Sequence, residues 1–535
     1  MQVELVLLIL SMLFFVSILA DKIGYKYGVP ALLLFLVVGM IFGSQSVAEI
    51  FGGNGIKIDT SNAEALSTIA MCIILFSGGL ETKLSDIKSV LAPGVTLATL
   101  GVLLTCVITG VLIYYIFGWI NAVASVSIWL ALLMAATMSS TDSASVFSLM
   151  RTNGIGLKHN LKPLLELESG ANDPMAYVLT TTLISVVLST QTFVGLTRPV
   201  EALPIVQTIV IQLVMGTVLG FAFGQGLVQL MRRVKLGNEA LYPIMVLTAC
   251  IFIFAMTYYL QGNTYLAVYV GGLIIGNNKF TRKRQTRSFF NGLTWLSQLV
   301  MFLMLGLMVE PADLLHYKVW LPCLIISIVM ICISRPLSVW LCMLPFPQYR
   351  QRDKMMLSWV GLKGAVPIIF AIMCKAEGVP YADMIFNVVF LCTLVSLLAQ
   401  GTTLTKVAQK LDLATEPQEE RILEHFDLDL PEEIQSSARE VEVTEAMLEK
   451  GNTPRELKIP PHTLIVMVRR DEDFFVPTGS STLAVGDQLL VISDQDAEAS
   501  YRNIANEAEE EAQWRAEMKA KLRARIAKLF TWKRR

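Results

Sequence analysis

The chain has 535 residues, 54% of them hydrophobic and only 16% charged, at a mean hydropathy of +0.57. An average soluble chain carries about 25% charged residues, so an ordinary soluble domain is excluded. A net charge of −1 provides no field favouring nucleic acid, and no domain-sized stretch interleaves basic with aromatic residues.

The charge is unevenly placed, at about 11% of residues 1–410 and about 34% of residues 411–535. That contrast separates a lipid-embedded part from an aqueous tail. Along the first part, about thirteen mostly apolar runs recur between short polar breaks, near 3–20, 29–47, 63–80, 87–118, 124–150, 163–190, 203–231, 241–260, 264–278, 289–309, 319–345, 355–374 and 381–405. Most are long enough to cross about 30 Å of hydrocarbon as helices. The apolar stretch from about Leu5 is preceded by Glu4 rather than a basic region and followed by a dozen more spans, so it reads as a retained first span and not a signal peptide. Alternate loops hold eighteen Lys and Arg against four. The basic set predicts the cytoplasmic side, which puts the N-terminus outside and the tail inside. The eight cysteines all fall within apolar runs without a C-x-x-C pair and read as small core residues rather than disulfides or a zinc site.

Charges inside a bilayer are costly and mark ion paths by default. Those at least three residues inside the ends of a run are Asp142, Glu166, Glu168, Asp173, Arg335 and Lys363. Asp142 lies in MSSTDSAS in the fifth run, whose hydroxyls can satisfy backbone freed by a helix break. The sixth run contains ELESGANDP, with Glu166, Ser169 and Asp173 at helical spacing on one face and Pro174 following. A carboxylate deprived of water can hold a proton or exchange it for a small cation, both states being compensated. Two cations, Arg335 and Lys363, cannot neutralise four carboxylates. The twelfth run carries GLKGAVP from Gly361 to Pro367, a pattern of discontinuous helix. The interrupted fifth and twelfth runs are seven apart, hence opposite in direction, which points to inverted repeats with the ion site where the breaks meet. Asp142 and Lys363 would then offset the partial charges of facing half-helix ends.

These residues resemble those of bacterial sodium or potassium/proton antiporters of the monovalent cation:proton antiporter-one family, the NhaP-type exchangers. The resemblance spans essentially the first 410 residues and rests on Thr141-Asp142, on ESGANDP from Glu168 to Pro174, on YLAVYVGGLIIGN from Tyr265 to Asn277, on MFLMLGLMV from Met301 to Val309, and on GLKGAVP. It implies a homodimer and a core domain moving against a dimerisation domain. It further implies that Asp173 binds cation or proton with Asn172 beside it, and that Thr141 supplies cation ligands while Asp142 compensates helix charge. Glu168 and Arg335 would form a structural ion pair. An Asn-Asp pair at Asn172 and Asp173 accompanies electroneutral exchange in that family. Lys363 departs from the family, which more often has Arg there, so the charge at the crossing is less firmly fixed.

In the tail, Leu457 to Pro460, TLIVMVRR from Thr463 and DQLLVIS from Asp487 read as short strands separated by turns such as Gly486-Asp487. This small α+β domain resembles the C-terminal subdomain of regulators of potassium conductance, the TrkA-C type, which implies pairing and a nucleotide-derived ligand such as cyclic di-AMP. No G-x-G-x-x-G loop precedes it. The stretch from Glu507 runs acidic to basic, with Met518, Leu522, Ile526 and Leu529 on one helical stripe; it suits anionic lipid, solvent or a second helix equally.

The expected organisation is an all-α polytopic antiporter domain over 1–410, a linker over 411–437, an α+β regulatory domain over 438–500 and a charged helix over 501–535. The expected function is exchange of a monovalent cation, sodium or potassium, for protons across a bacterial inner membrane, serving pH and cation homeostasis. No cofactor and no metal beyond the transported cation is expected. A ligand-gated cation channel is the rival reading, weakened by the lack of a filter-like T-V-G-Y-G. A membrane-embedded enzyme is disfavoured because His159, His316, His425 and His462 all lie outside the runs.

Overall fold

The computed structural model describes residues 8, 11–19, 22, 31–43, 58–120, 126–152, 155–192, 202–234, 236–309, 314, 317–415, 438–443, 445–448, 451–457, 463–470 and 473–493. They fall into two compact units that divide after Pro417. The expected C-terminal helix, the strand beyond Leu457 and most of the expected linker lie outside the described residues.

Helix occurs within each of the thirteen apolar runs, because hydrocarbon leaves backbone groups no partner but each other. After helical residues 11–19 come α1 (Ala31–Gly43), α2 (Thr60–Glu81), α3 (Leu84–Trp119), and the two pieces of the fifth run, α4 (Ile128–Thr137) and α5 (Ser143–Thr152). Then follow α6 (Leu161–Thr192), α7 (Ala202–Arg233), α8 (Leu241–Tyr259), α9 (Thr264–Gly276), α10 (Lys283–Leu307) and α11 (Trp320–Cys342). The twelfth run is again in two pieces, α12 (Gln351–Trp359) and α13 (Val366–Ala376), before α14 (Ala382–Lys410). Among the described residues, seven helices are long and apolar enough to cross a bilayer unaided. Large apolar side chains face outward along them, among them Trp119, Phe221, Ile251 and Tyr259, as expected of an integral multi-pass protein.

Packing divides this unit into two bundles. In one, α2 and α10 pack together, α1 lies on α10, and α9 lies on α2, α7 and α8. In the other, α3, α4 and α6 pack together, and α14 lies on α11 and α13. The bundles meet where α13 packs on α2 and α6 on α9. Close approach within the first bundle depends on glycine: a side chain at Gly79 of α2 would strike the α9 backbone, 2.9 Å from Leu273 N.

Two features were not anticipated. Helix α10 begins six residues before its apolar run, because its charged first turns continue into water. And α3, α11 and α14, all in the second bundle, each contain a π turn, at Leu97–Gly101, Met330–Ser334 and Leu397–Gly401. The hydroxyls of Thr105 and Ser338 both donate to the Gly101 carbonyl at 2.7 Å, satisfying the group beside the first of these turns.

A two-residue ribbon closes the first unit: β1 (Gly156–Leu157), in the loop before α6, pairs antiparallel with β2 (Ala414–Thr415), just after α14. The second unit holds a four-stranded antiparallel sheet ordered β3-β6-β4-β5, from β3 (Ala438–Glu442), β4 (Thr463–Arg470), β5 (Asp473–Phe475) and β6 (Gln488–Ser493). Val443, Ile465, Val468, Leu483, Leu489 and Val491 form its core. The strand read at Leu457 is not one at that residue. Strands β3 and β5 carry charges that hide their alternation.

Candidate functional site

The non-helical residues between α4 and α5 cross those between α12 and α13. The Asp142 amide donates to the Leu362 carbonyl at 2.8 Å, which locks the two breaks together. The end of α4 and the start of α5 are then given partners. The Ser139 hydroxyl donates to the Ala136 carbonyl and the Thr137 hydroxyl to the Met134 carbonyl, both at 2.7 Å, so the end of α4 is closed by its own side chains. Asp142 caps α5, accepting from the Ser145 amide at 3.2 Å and the Ser145 hydroxyl at 2.5 Å. The Lys363 ammonium, buried at 2% exposure, donates to the Ser140 carbonyl at 2.8 Å, placing a cation at the negative end of a half-helix. Gly364 leaves room for Asp142: a side-chain carbon there would lie 2.6 Å from its Oδ2.

Helix α6 passes beside the crossing and stays helical through Pro174. The Ser169 hydroxyl donates to the Thr141 carbonyl at 3.0 Å and accepts from the Ser143 amide at 3.1 Å. The Asn172 amide donates to the Thr141 hydroxyl at 2.6 Å. One residue on, Asp173 is buried within electrostatic reach of Asp142, Ser140 and Lys363. The carbonyl of Pro174 accepts from the Asn263 side chain at 2.8 Å, and Asn263 also caps α9. Carboxylate, carbonyl and hydroxyl oxygens thus converge, a donor set suited to a hard monovalent cation. Among the described residues no group of His, Cys, Asp and Glu could hold a resident metal ion.

The other charges are placed differently. Arg335 Nη2 donates to Glu168 at 2.5 Å, both side chains nearly inaccessible, and the same nitrogen lies 3.4 Å from the Leu357 carbonyl in the last turn of α12. Glu166 lies nearer the surface, with Lys162 one turn before it at 3.9 Å. The excess of carboxylates over cations is therefore smaller than the sequence count implied, since Lys162 lies one residue before the apolar run. Asp142, Asp173, Lys363, Thr141 and Asn172 come together, with Glu168 and Arg335 alongside and Glu166 apart.

Three supporting residues escaped the sequence reading. Asn263 lies in a short loop between two runs, and Ser396 and Gln400 lie in the thirteenth run. The amide of Lys363 donates to the Ser396 hydroxyl at 3.0 Å, and Gln400 donates to the Trp359 carbonyl at 2.9 Å. A buried glutamine within an apolar span was the available signal.

Residues 8–410 match the family described as sodium/hydrogen exchanger, transmembrane, and residues 451–506 match the TrkA-C domain. The chain belongs to the sodium/hydrogen exchanger family. It is 36% identical to the K(+)/H(+) antiporter NhaP of Alkalimonas amylolytica over 92% of this chain and 81% of that protein. It is also 36% identical to the K(+)/H(+) antiporter NhaP2 of Shewanella sp. strain ANA-3, over 94% and 83%. The Na(+)/H(+) antiporter ApNhaP of Aphanothece halophytica is 26% identical over 77% of this chain and 75% of its own. In fold, the chain resembles the sodium proton antiporter MjNhaP1 of Methanocaldococcus jannaschii, with a TM-score of 0.62 and 21% identity over 75% of this chain and all of that one. The exchanger family is one of transporters rather than enzymes, its substrates are monovalent cations and protons, and nothing in these likenesses favours a channel.

Proposed function

We propose that this exchanger is an electroneutral antiporter in which Asp173 carries either one proton or one monovalent cation between alternating faces. The observation that carries this reading is a carboxylate at 8% exposure beside two crossed helix breaks, where charge must be compensated in every state. Thr141 supplies oxygen ligands, Asn172 holds Thr141 in place, and Asp142 and Lys363 balance the half-helix ends. Glu168 and Arg335 are the structural ion pair. Potassium is the favoured cation, because the relatives matched over more than nine-tenths of this chain are named for it; sodium is the second reading, after ApNhaP.

The chain is proposed to act as a homodimer in the bacterial inner membrane, N-terminus outside and tail in the cytoplasm, as the loop charges imply. Residues 1–410 form the antiporter domain, 411–437 a linker, 438–500 a TrkA-C-like regulator taking a nucleotide such as cyclic di-AMP, and 501–535 a charged helix.

Proteoliposome flux under an imposed pH gradient tests the site. Asp173→Asn abolishes both cation-driven proton release and proton-driven cation uptake; wild-type exchange in that variant removes Asp173 from the mechanism. One titratable member in the Asn172-Asp173 pair predicts no net charge movement. A current on solid-supported membranes that scales with turnover contradicts electroneutrality.

A further inference from the structure

The break between α12 and α13 has a second neighbour besides Asp142. Helix α14 brings Ser396 and Gln400 against it, the first just before the π turn Leu397–Gly401 and the second inside it. The Lys363 amide donates to the Ser396 hydroxyl at 3.0 Å. Ser396 passes its own hydrogen to Gln400 Oε1 at 2.5 Å, and Gln400 Nε2 donates to the Trp359 carbonyl at 2.9 Å. The two side chains therefore bracket residues 359–363, tying the last carbonyl of α12 to the amide of Lys363. Both are sealed from solvent, at 0% and 1% exposure. A polar pair in such a place is costly unless every group is used, and here each group named has its partner.

The bracket bears on charge as well as on shape. Lys363 reaches the Ser140 carbonyl from a backbone position held by the bond from its own amide to Ser396 and by the Asp142–Leu362 contact beside it. The charged and titratable groups around its ammonium are Arg335 of α11, Glu168 and Asp173 of α6, and Cys392 of α14, with Asp142 across the crossing acting on Asp173. Moving the backbone of Lys363 moves its charge relative to Asp173.

We propose that Ser396 and Gln400 are positioning residues for exchange, holding the Lys363 backbone so that its ammonium stays at a fixed place beside Asp173. The inference rests on Asp173 being the exchange carboxylate. It assigns a role to α14, which contributes none of the charged site residues.

The test is the pH profile of cation/proton exchange in proteoliposomes of the full chain, measured for Gln400→Met, Ser396→Ala and Ser396→Thr, with Asp173→Asn as control. Methionine matches glutamine in length but neither donates to Trp359 nor receives from Ser396. Gln400→Met and Ser396→Ala displace the pH of half-maximal exchange by about half a unit or more, the scale on which two nearby charges respond to a small change in separation. Ser396→Thr keeps the hydroxyl and returns the midpoint to the wild-type value. Lower thermal stability with an unmoved midpoint in Gln400→Met or, should that variant not fold, in Ser396→Ala overturns the proposal and leaves the bracket purely structural. Wild-type exchange in Asp173→Asn instead overturns the site reading beneath it, whatever the other variants do.

Discussion

Arg335 serves two partners at once, the Glu168 carboxylate and the Leu357 carbonyl, and so joins α11 to α6 and to the end of α12. Removing either member of the Glu168–Arg335 pair leaves an unpaired charge at a site of 1% to 3% exposure. Such a loss costs roughly 3 to 5 kcal/mol, a large fraction of the roughly 5 to 15 kcal/mol by which proteins are stable. Glu168→Gln and Arg335→Ala are therefore expected to lower the yield of folded protein from detergent-solubilised membranes. Normal yield with lost transport would move the pair into the transport mechanism. These charges were legible in the sequence because ionised groups in hydrocarbon are rare enough to stand out one by one. Ser396, Gln400 and Asn263 were not, because neutral polar side chains serve ordinary helix packing as readily as a helix break. The distinction between Glu166 and Glu168 comes from the family resemblance and not from periodicity, which sets Glu166 rather than Glu168 on the face of Asp173: two residues of one helix differ in partner only through what packs against each.

At the scale of the element, the two interrupted spans were readable from glycine, proline and hydroxyl residues, while the three π turns left no compositional trace. A π turn adds one residue to a turn without changing which residues are apolar, so hydropathy passes over it. The sheet of the second unit shows the same limit, since β4 and β6 announce themselves by apolar runs and β3, with the sequence AREVE, does not. One turn there carries a testable charge. Arg470 of β4 holds Asp487, before β6, with two hydrogen bonds of 2.8 and 2.7 Å, and the Ala484 amide adds a third at 2.8 Å. The Arg470 hydrogen bonds, opposed by burial and aided by the Ala484 amide and the Arg470 charge, hold the Asp487 carboxyl below its usual range. As pH falls, the unfolded chain takes up this proton before the folded one does. The contribution is thus complete above about pH 4 to 5 and fades as the pH drops through the lower folded value. Asp487→Asn is expected to make the second unit of the full chain more protease-sensitive at pH 7, with the difference shrinking near pH 3. Equal sensitisation at both pH values would mean that shape, not charge, is what Asp487 provides.

Across the whole molecule, every residue assigned to exchange lies before residue 410, whereas the TrkA-C match begins at 451. Truncation within the segment between them is expected to leave exchange running but to alter its pH profile or its response to an added nucleotide. A ligand on the second unit can bias two states of the first only by its differential affinity for them. Loss of all transport in a folded truncated protein would place the tail in the cycle itself. Where the cut falls matters, because of the ribbon that closes the first unit. Beyond the pairing of Gly156 with Thr415, the Lys158 amide donates to the Leu413 carbonyl at 3.0 Å, and Asp412 lies 3.3 Å from the Lys158 ammonium and 3.7 Å from Arg352 at the start of α12. Residues 411–415 are thus stitched to the entrances of the two helices that flank the crossing, although composition assigns them to the hydrophilic tail. For anyone grafting a foreign domain onto this transporter, the interchangeable part starts after Pro417, where the first unit ends: a junction at residue 411 would discard a piece of the engine along with the tail.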